Sequence, residues 1–386
     1  MAEFIRVSMP DEGREPPAPE TVFRGHTAEV MSVSFTAWYD STSGLPHLLS
    51  GSADGEVKLW SLYTRRPIAT VAAHSDASVL SVHALARSRV LSQGRDGAVR
   101  LWDAGNGALR GPLFALPSRS YNFCQCAVSP TLQHDEQLWD FDDAIATQAP
   151  FPAQLDAKPE ATSLSPTAAA GGVSSSAGPS ASLLAVATED AQQVQLWDVR
   201  QRTAARTLAP SEALGRAGMC MCCRFVDDET LLSGWEDGSL QRFDLRGAAP
   251  VASRRLHSEP LLCIDVGPKA EHALTGAADC VLCIVPLSAV VGGFGEPIAQ
   301  LSVPVTNEAT GSGGLSSVSS RPDGRIFAAG GWDRRVRLWQ WRNFKPLAVL
   351  KHHTGTVHSV HFSHCSRWLA TASADKTIGL WALFPP

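Results

Sequence analysis

An aspartate followed six residues later by a tryptophan recurs along this chain, and this repeat constrains the fold more than any other feature. Asp54 precedes Trp60 by six residues, and a looser copy places Asp190 seven residues before Trp197. The six copies with the stricter spacing are Asp54/Trp60, Asp96/Trp102, Asp237/Phe243, Asp279/Val285, Asp333/Trp339 and Asp375/Trp381. The chain is therefore built from seven related units.

The period of the repeat matches one β-propeller blade. Trp60 and Trp102 are 42 residues apart, as are Trp339 and Trp381. Short alternating runs separated by Asp-Gly turns predict antiparallel strands. Four such strands every 40 to 45 residues or so are typical of a propeller blade. We therefore predict an all-β fold with seven blades.

Two more positions repeat in register with the aspartate. A hydroxyl stands four residues before it in five copies: Ser50, Ser92, Ser233, Thr275 and Thr371. The sixth copy has Ala329 there. A histidine opens an earlier strand in four copies: His26, His74, His257 and His353. The last three each precede their aspartate by 22 residues, and His26 precedes Asp54 by 28.

Serine, histidine and aspartate together raise the possibility of a hydrolase. A nucleophile needs one activated hydroxyl in one pocket with an oxyanion hole, whereas this trio recurs around a ring. The acid also persists at Asp279, Asp333 and Asp375, where no glycine follows, so it is more than a turn former. The sequence contains no nucleophile elbow, Walker loop or His-Glu-x-x-His helix. We predict a non-enzymatic protein with no catalytic residue and no cofactor.

These motifs resemble the WD-repeat propeller family over residues 21–383. "VRLWDAG" and "VQLWDVR" retain the Trp-Asp pair that names the repeat. The resemblance implies a seven-bladed WD40 propeller over residues 21–383. The sequence predicts a tail over residues 1–20 and, as a departure from the family pattern, a low-complexity insertion at about residues 131–181 inside the third blade. The resemblance also implies that His, Ser/Thr, Asp and Trp of a blade hydrogen-bond to one another. The structural network expected on this ground is His26, Ser50, Asp54, Trp60, His74, Ser92, Asp96, Trp102, His353, Thr371, Asp375 and Trp381.

Closure of the ring is predicted to use the beginning of the chain. "IGLWALFPP" places the last residues on the third strand of the last blade, which would leave an apolar edge exposed. The segment 21–24 has strand-like residues and no blade of its own. We predict that it forms the outer strand of the last blade.

Two segments depart from the regular period. Trp102 and Trp197 are 95 residues apart, and the intervening "KPEATSLSPTAAAGGVSSSAGPSAS" is predicted to be disordered. The acidic stretch before it, which carries Trp139 and Phe141, is either a docking motif or a half-ordered loop. Residues 288–314 are predicted to form a longer loop between the fifth and sixth blades.

The nine cysteines are an odd number, which favours a reducing compartment, and we expect the cytoplasm and nucleus. "CMCC" (residues 220–223) and "CVLC" (residues 280–283) do not predict a metal site. Structural zinc needs four converging ligands, whereas alternate residues of a strand face opposite ways.

Composition excludes several classes of partner. The net charge of −5 and pI near 6.2 indicate no nucleic acid. No stretch approaches the roughly 18 apolar residues of a membrane span, and no secretory signal is recognisable, so no membrane is expected.

Residues beside the turn aspartates differ between blades and form a candidate protein-binding surface. An exposed tryptophan next to arginine is the composition of a binding hot spot. The candidates are Arg95, Trp235, Glu236, Trp332, Arg334 and Arg335. The alternative, that the two tryptophans pack between blades, stays open at this point.

Several passages are similar to the guanine-nucleotide-binding-protein β-subunit-like family, whose fungal relative is an ASTRA-complex WD subunit. They include "LLSGWEDGSLQRFD" and "AAGGWDRRVRLWQWRNFKPLAVLKHH". The resemblance implies a non-catalytic adaptor of the Tel-two/ASTRA cochaperone machinery, which supports maturation of phosphatidylinositol-3-kinase-related kinases. No G-protein γ subunit is expected, because residues 1–20 contain four prolines and no heptad pattern.

The alternative function comes from another class of protein. Trp197, Asp198 and Arg200 resemble the Trp-Asp-x-Arg box of substrate receptors for cullin–RING ubiquitin ligases. This resemblance implies that a ligase adaptor would bind at that box.

Overall fold

Seven antiparallel sheets form a seven-bladed β-propeller in the computed structural model of the chain. The structure describes residues 17–75, 77–134, 182–211, 215–287, 294–303 and 313–383, together with the backbone of residues 4–5. The prediction of an all-β propeller is confirmed.

The strands follow one another in chain order. Two short strands come first, β1 (Phe4–Ile5) and β2 (Thr21–Arg24). Blade one contains β3 (Val30–Tyr39), β4 (Pro46–Ser52), β5 (Glu56–Ser61) and β6 (Arg66–Ala72). Blade two contains β7 (Val79–Leu85), β8 (Arg89–Gly94), β9 (Val99–Asp103) and β10 (Arg110–Leu116), with a short 3-10 turn at Gly105–Gly107. Blade three contains β11 (Ala127–Val128), the helix α1 (Pro130–His134), β12 (Leu183–Ala187), β13 (Val194–Asp198) and β14 (Thr203–Leu208).

The remaining blades keep the same order. Blade four contains β15 (Cys220–Asp227), β16 (Thr230–Trp235), β17 (Ser239–Asp244) and β18 (Pro250–Arg255). Blade five contains β19 (Leu261–Val266), β20 (His272–Ala277), β21 (Val281–Pro286) and β22 (Ala299–Ser302). Blade six contains β23 (Leu315–Ser320), β24 (Ile326–Gly331), β25 (Val336–Gln340) and β26 (Pro346–Leu350). Blade seven contains β27 (Val357–Phe362), β28 (Trp368–Ser373) and β29 (Thr377–Ala382), completed by β2.

Burial along a blade depends on how many neighbouring blades cover each strand. Every residue of β4 is buried because the adjacent blades cover both of its faces, whereas β6 at the rim is mostly exposed. Close approach between blades needs a residue without a side chain at some positions. A Cβ atom on Gly51 of β4 would lie 2.4 Å from Cγ1 of Val79, the first residue of blade two. The core is therefore a ring of interfaces between blades.

The beginning of the chain closes the ring. Strand β2 pairs antiparallel with β29, with Phe23 opposite Ile378. The Phe23 ring is buried and lies 5.4 Å from the indole of Trp60. The backbone pairing completes blade seven, the Phe23–Trp60 contact joins that blade to blade one, and the predicted closure is confirmed.

Two expectations about irregular segments need correction. The segment 288–314 is not one loop, because β22 lies within it and forms the outer strand of blade five. The predicted tail also contains β1, which pairs in parallel with β22 and uses its otherwise open edge. The predicted insertion at about 131–181 falls outside the described residues beyond His134, and so do Trp139 and Phe141.

Candidate functional site

Two faces of the propeller follow from the strand order. The turn between the second and third strands of each blade lies at the same face as the connection that enters the next blade. This surface carries the turn aspartates and is called the Asp face here. The turns between first and second strands and between third and fourth strands lie at the opposite face.

Blade two contains a complete network of the four repeated side chains. Nδ1 of His74 lies 3.0 Å from Oδ1 of Asp96, and its Nε2 lies 2.8 Å from Oγ of Ser92. The indole N–H of Trp102 donates to the same Ser92 oxygen at 2.9 Å. Arg100 also pairs with Asp96 at 2.5 Å. The network joins the connection into blade two to the second and third strands of that blade.

The network of blade two contains one carboxylate, Asp96, whose charge is stabilised by its neighbours His74 and Arg100. Burial lowers the pKa of His74, so the imidazole is neutral at pH 7 and contacts Asp96 through a hydrogen bond. Burial alone would raise the pKa of Asp96, but His74 and Arg100 outweigh it and lower this pKa to about 2. Asp96 is therefore a permanent anion with a guanidinium beside it.

The Ser92–His74–Asp96 connectivity is that of a hydrolytic triad, but its surroundings differ. Ser92 is 0% exposed, and its oxygen already accepts the indole hydrogen bond from Trp102. A substrate carbonyl cannot reach a hydroxyl in this position. These three side chains of blade two instead hold the connection that enters the blade to its second strand and to the turn that follows.

Blades five and seven repeat the arrangement. Nδ1 of His353 lies 2.9 Å from Asp375, and Nε2 lies 2.7 Å from Thr371, which also accepts the indole N–H of Trp381 at 3.1 Å. Blade five forms the corresponding contacts of His257 with Asp279 and Thr275. Val285 of blade five supplies no indole.

Blade one forms only part of the expected network. Nε2 of His26 lies 2.6 Å from Ser50, and Trp60 donates to Ser50 at 2.7 Å. The Nδ1 atom of His26 is buried without a hydrogen-bond partner, so the expected His26–Asp54 bond is absent from the described part of the chain. Asp54 instead accepts from Thr27 at 2.5 Å and from Ser52. The hydroxyl groups of Thr27 and Ser52 are thus the hydrogen-bond donors to this carboxylate, in place of the histidine.

Blades that lack the histidine hold their turn aspartate by other means. In blade six, Arg337 makes two contacts with Asp333, at 2.5 and 3.2 Å, and both side chains are buried. Ala329 leaves no hydroxyl there, and the Trp339 indole N–H has no hydrogen-bond partner within the described residues. Asp333 in "GGWDRRVRLWQW" is thus a structural anion paired with the next strand.

The candidate surface residues divide into exposed and buried groups. Arg95, Glu236, Trp332 and Arg334 are exposed on the Asp face, and Arg335 is half-buried beside them. Trp235 is 0% exposed and lies in the core between blades three and four, so its assignment to a binding surface is wrong. The strand β16 ends at Trp235, and its side chain points inward between the blades.

Three exposed apolar residues on the Asp face were not predicted from the sequence. Tyr121 and Phe123 lie in the connection into blade three, and Met219 lies in the connection into blade four. We call Tyr121, Phe123 and Met219 the aromatic patch. The Arg95 guanidinium sits 4.2 Å above the Phe123 ring, and Arg95 Nε donates to the backbone oxygen of Tyr121 at 3.3 Å. Two aromatic residues in a connection, rather than in a strand, were the signal that could have revealed it.

The Trp-Asp-x-Arg box lies at the opposite face, in the turn between β13 and β14. Trp197 is buried, and Asp198 accepts backbone hydrogen bonds from Arg200 at 2.9 Å and Gln201 at 3.0 Å. Arg200 is exposed. The aspartate therefore shapes the turn, and the arginine is the accessible member of the box.

Comparison with known proteins identifies the repeat. The family model described as "WD domain, G-beta repeat" matches residues 18–61, 65–103, 304–340 and 344–382. A mouse (Mus musculus) protein, guanine nucleotide-binding protein subunit beta-like protein 1, is 30% identical over 377 residues, covering 96% of this chain and 97% of the relative. The chain therefore belongs to the WD-repeat family that includes this mouse protein.

Fungal members of the family carry another name. ASTRA-associated protein 1 of Verticillium alfalfae is 26% identical over 96% of this chain and 94% of its own length. The Schizosaccharomyces pombe protein of that name is 25% identical over 95% of this chain and 99% of its own length. The resemblance to WD-repeat scaffolds therefore extends across the whole propeller. Among the described residues, no helix is long and apolar enough to span a membrane.

Proposed function

We propose that this protein is a non-catalytic scaffold of an ASTRA-type cochaperone assembly that supports the maturation of phosphatidylinositol-3-kinase-related kinases. The observation that carries the proposal is the similarity to proteins named ASTRA-associated protein 1 over at least nine-tenths of the chain. The buried Ser92 and Thr371 hydroxyls support a non-catalytic role. The nine free cysteines fit a role in the cytoplasm and nucleus, which fluorescence microscopy of the tagged protein would test.

The aromatic patch is the surface we assign to the cochaperone partner. Phe123 is 63% exposed, and Met219 lies in the neighbouring connection. Exposed aromatic residues beside an arginine are enriched at interface hot spots. Because Arg95 supplies a positive charge at the rim, the matching partner surface is an apolar side chain flanked by a carboxylate.

Affinity purification of the tagged full-length chain tests both parts of the proposal. We expect cochaperone subunits and the large kinases to be recovered with the wild type. Replacing Phe123 and Met219 together by alanine should lower that recovery at least about tenfold, as loss of a hot spot would. Tyr63→Ala is the matched control, because Tyr63 is 65% exposed but lies at the opposite face in the β5–β6 turn.

The outcomes separate function from surface. Loss of recovery with the double variant and normal recovery with Tyr63→Ala support the patch, provided that the melting curves coincide. Equal recovery with all three proteins would refute the patch but not the cochaperone role. Absence of every cochaperone subunit from the wild-type sample would refute the role itself.

The exposed Arg200 keeps a second candidate function in view, that of a substrate receptor for a cullin–RING ligase. This role predicts recovery of a ligase adaptor that is lost with Arg200→Ala and kept with the patch variant. The two functions use opposite faces, so the same set of variants distinguishes them.

A further inference from the structure

Three cysteine sulfurs from two neighbouring blades lie close together, and two of these cysteines directly follow members of the aromatic patch in the sequence. Sγ of Cys220 lies 3.9 Å from Sγ of Cys124 and 3.5 Å from Sγ of Cys223. All three sulfurs lie within 4.8 Å of one another. Cys124 follows Phe123 in the connection that leads into blade three. Cys220 follows Met219 and is the first residue of β15 in blade four.

A bulge in β15 explains why these side chains converge. Cys220 pairs with Trp235 and Cys222 with Gly234, so one extra residue interrupts the alternation of faces. Cys220 and Cys223 therefore share the face toward blade three, while Cys222 points toward blade five and contacts the Leu261 carbonyl at 3.4 Å. Alternate residues would face opposite ways in a regular strand, but the bulge in β15 brings Cys220 and Cys223 to one face.

The third sulfur comes from outside both cysteine motifs. Cys124 belongs to "SYNFCQC", in the connection that leads to β11. Gln125 and Cys222 form a parallel backbone bridge that sets the two segments side by side. Cys283 of "CVLC" lies elsewhere, near the Leu256 carbonyl. Tertiary structure therefore assembles a set that no single motif contains.

The spacing and chemistry of the sulfurs suit a soft metal ion. Thiolates about 2.3 Å from a zinc ion at tetrahedral corners lie about 3.8 Å apart. Thiolate ligands select Zn²⁺ and Cu⁺ over hard cations.

We propose that Cys124, Cys220 and Cys223 bind one thiophilic d¹⁰ metal ion, Zn²⁺ or Cu⁺, and thereby tie blade three to blade four. Each ligating thiol releases its proton to solvent, so the affinity rises with pH. A link here has a structural use, because β11 is only two residues long and pairs with β12 at Ala127 and Val128 alone. For Zn²⁺, water or a backbone oxygen would complete the tetrahedron.

The test uses the full-length chain, purified and titrated anaerobically without added reductant and without chelators other than the chromophoric competitor. Zn²⁺ and Cu⁺ are titrated separately against a chromophoric chelator for each ion, and one equivalent of one of them should bind. X-ray absorption of that complex should show sulfur ligands at about 2.3 Å. Cys223→Ala should weaken binding at least about 100-fold, because a lost ligand costs more than the 10- to 100-fold of a lost second-shell partner.

Cys222→Ala is the matched control, since it alters the same strand on the other face and should leave the affinity within about twofold. Cys223 is only partly buried, so its variant tests the site even where Cys124→Ala prevents folding. Three results would overturn the proposal. They are no binding of either ion, equal affinity in Cys223→Ala and wild type, or a disulfide joining two of these cysteines in the anaerobic protein.

Discussion

The indole N–H of Trp235 donates a hydrogen bond to Oγ of Ser233, two residues earlier on the same strand, at 2.8 Å. In blades two and seven, the corresponding hydroxyl accepts a hydrogen bond from a tryptophan on the third strand, as Ser92 does from Trp102. Blade four has Phe243 at the third-strand position. A tryptophan on the second strand therefore supplies the missing donor, and the blade keeps the hydrogen bond while changing the residue that makes it.

Trp235→Phe should reduce the free energy of unfolding by about 1–3 kcal/mol, since it removes the donor to a buried hydroxyl and leaves a small void. Trp332→Phe is the matched control, because Trp332 is partly exposed beside the equivalent turn and should change stability by less than about 0.5 kcal/mol. Urea unfolding followed by far-ultraviolet circular dichroism measures both. Equal effects of the two substitutions would contradict the core role of Trp235.

Asp96→Ala should destabilise the fold by at least about 2 kcal/mol, because His74 and Arg100 lose their shared anion. Asp190→Ala is the comparison, since Asp190 occupies the looser copy in blade three and accepts hydrogen bonds from Thr188 and Gln192 in its own turn. It should cost less than about 1 kcal/mol. The two urea midpoints, at equal m values, decide between a network role and a turn role for this carboxylate.

Removing residues 1–24 should lower the melting temperature of the whole propeller, whereas removing residues 1–19, which takes away only the two-residue pairing of β1 with β22, should change it much less. The longer deletion takes away β2 and leaves the edge of β29 unpaired. Phe23→Ala tests the same closure with a single change and should cost about 3–5 kcal/mol, typical of a buried phenylalanine. Closely matching calorimetric profiles for the two deletions would show that the ring does not depend on this strand.

Lowering the pH should reduce the free energy of unfolding at pH values above those at which the carboxylates take up protons. Burial, aided by the Lys58 charge, lowers the pKa of His26 from 6.5 to about 4. The unfolded chain therefore binds more protons between pH 6.5 and 4, and the free energy of unfolding falls as the pH falls through that window. The loss from this residue is on the order of 3 kcal/mol, and it is complete below about pH 4.

Urea titrations at several pH values measure this dependence. His26→Gln should flatten the slope between pH 6.5 and 4 by the share of His26. The remaining slope comes from the other histidines whose pKa values burial lowers, among them His83, to about 4, and His361, to about 3. An unchanged slope in the variant would mean that His26 takes up its proton in the folded state as readily as in the unfolded chain.

Local spacing carried most of the fold prediction. The 42-residue period and the Asp–Trp interval depend on neighbours along one blade, so residues such as Asp96, Trp102 and Asp375 were predictable from the sequence. The closing strand was also predictable, because an unpaired edge needs a partner. Blade one shows the limit of such reasoning. The sequence has both His26 and Asp54, but hydroxyls beside Asp54 compete for its oxygens.

The number of blades, the order of strands and the family of the chain can all be read from the repeat, because a repeat records contacts within one unit. Which side chains from different blades meet depends on the three-dimensional fold. It buried Trp235 between blades, left Phe123 and Met219 exposed, and brought Cys124 to Cys220. Contacts between blades depend on twist, bulges and connection paths, and one extra residue in a strand moves every following side chain to the other face.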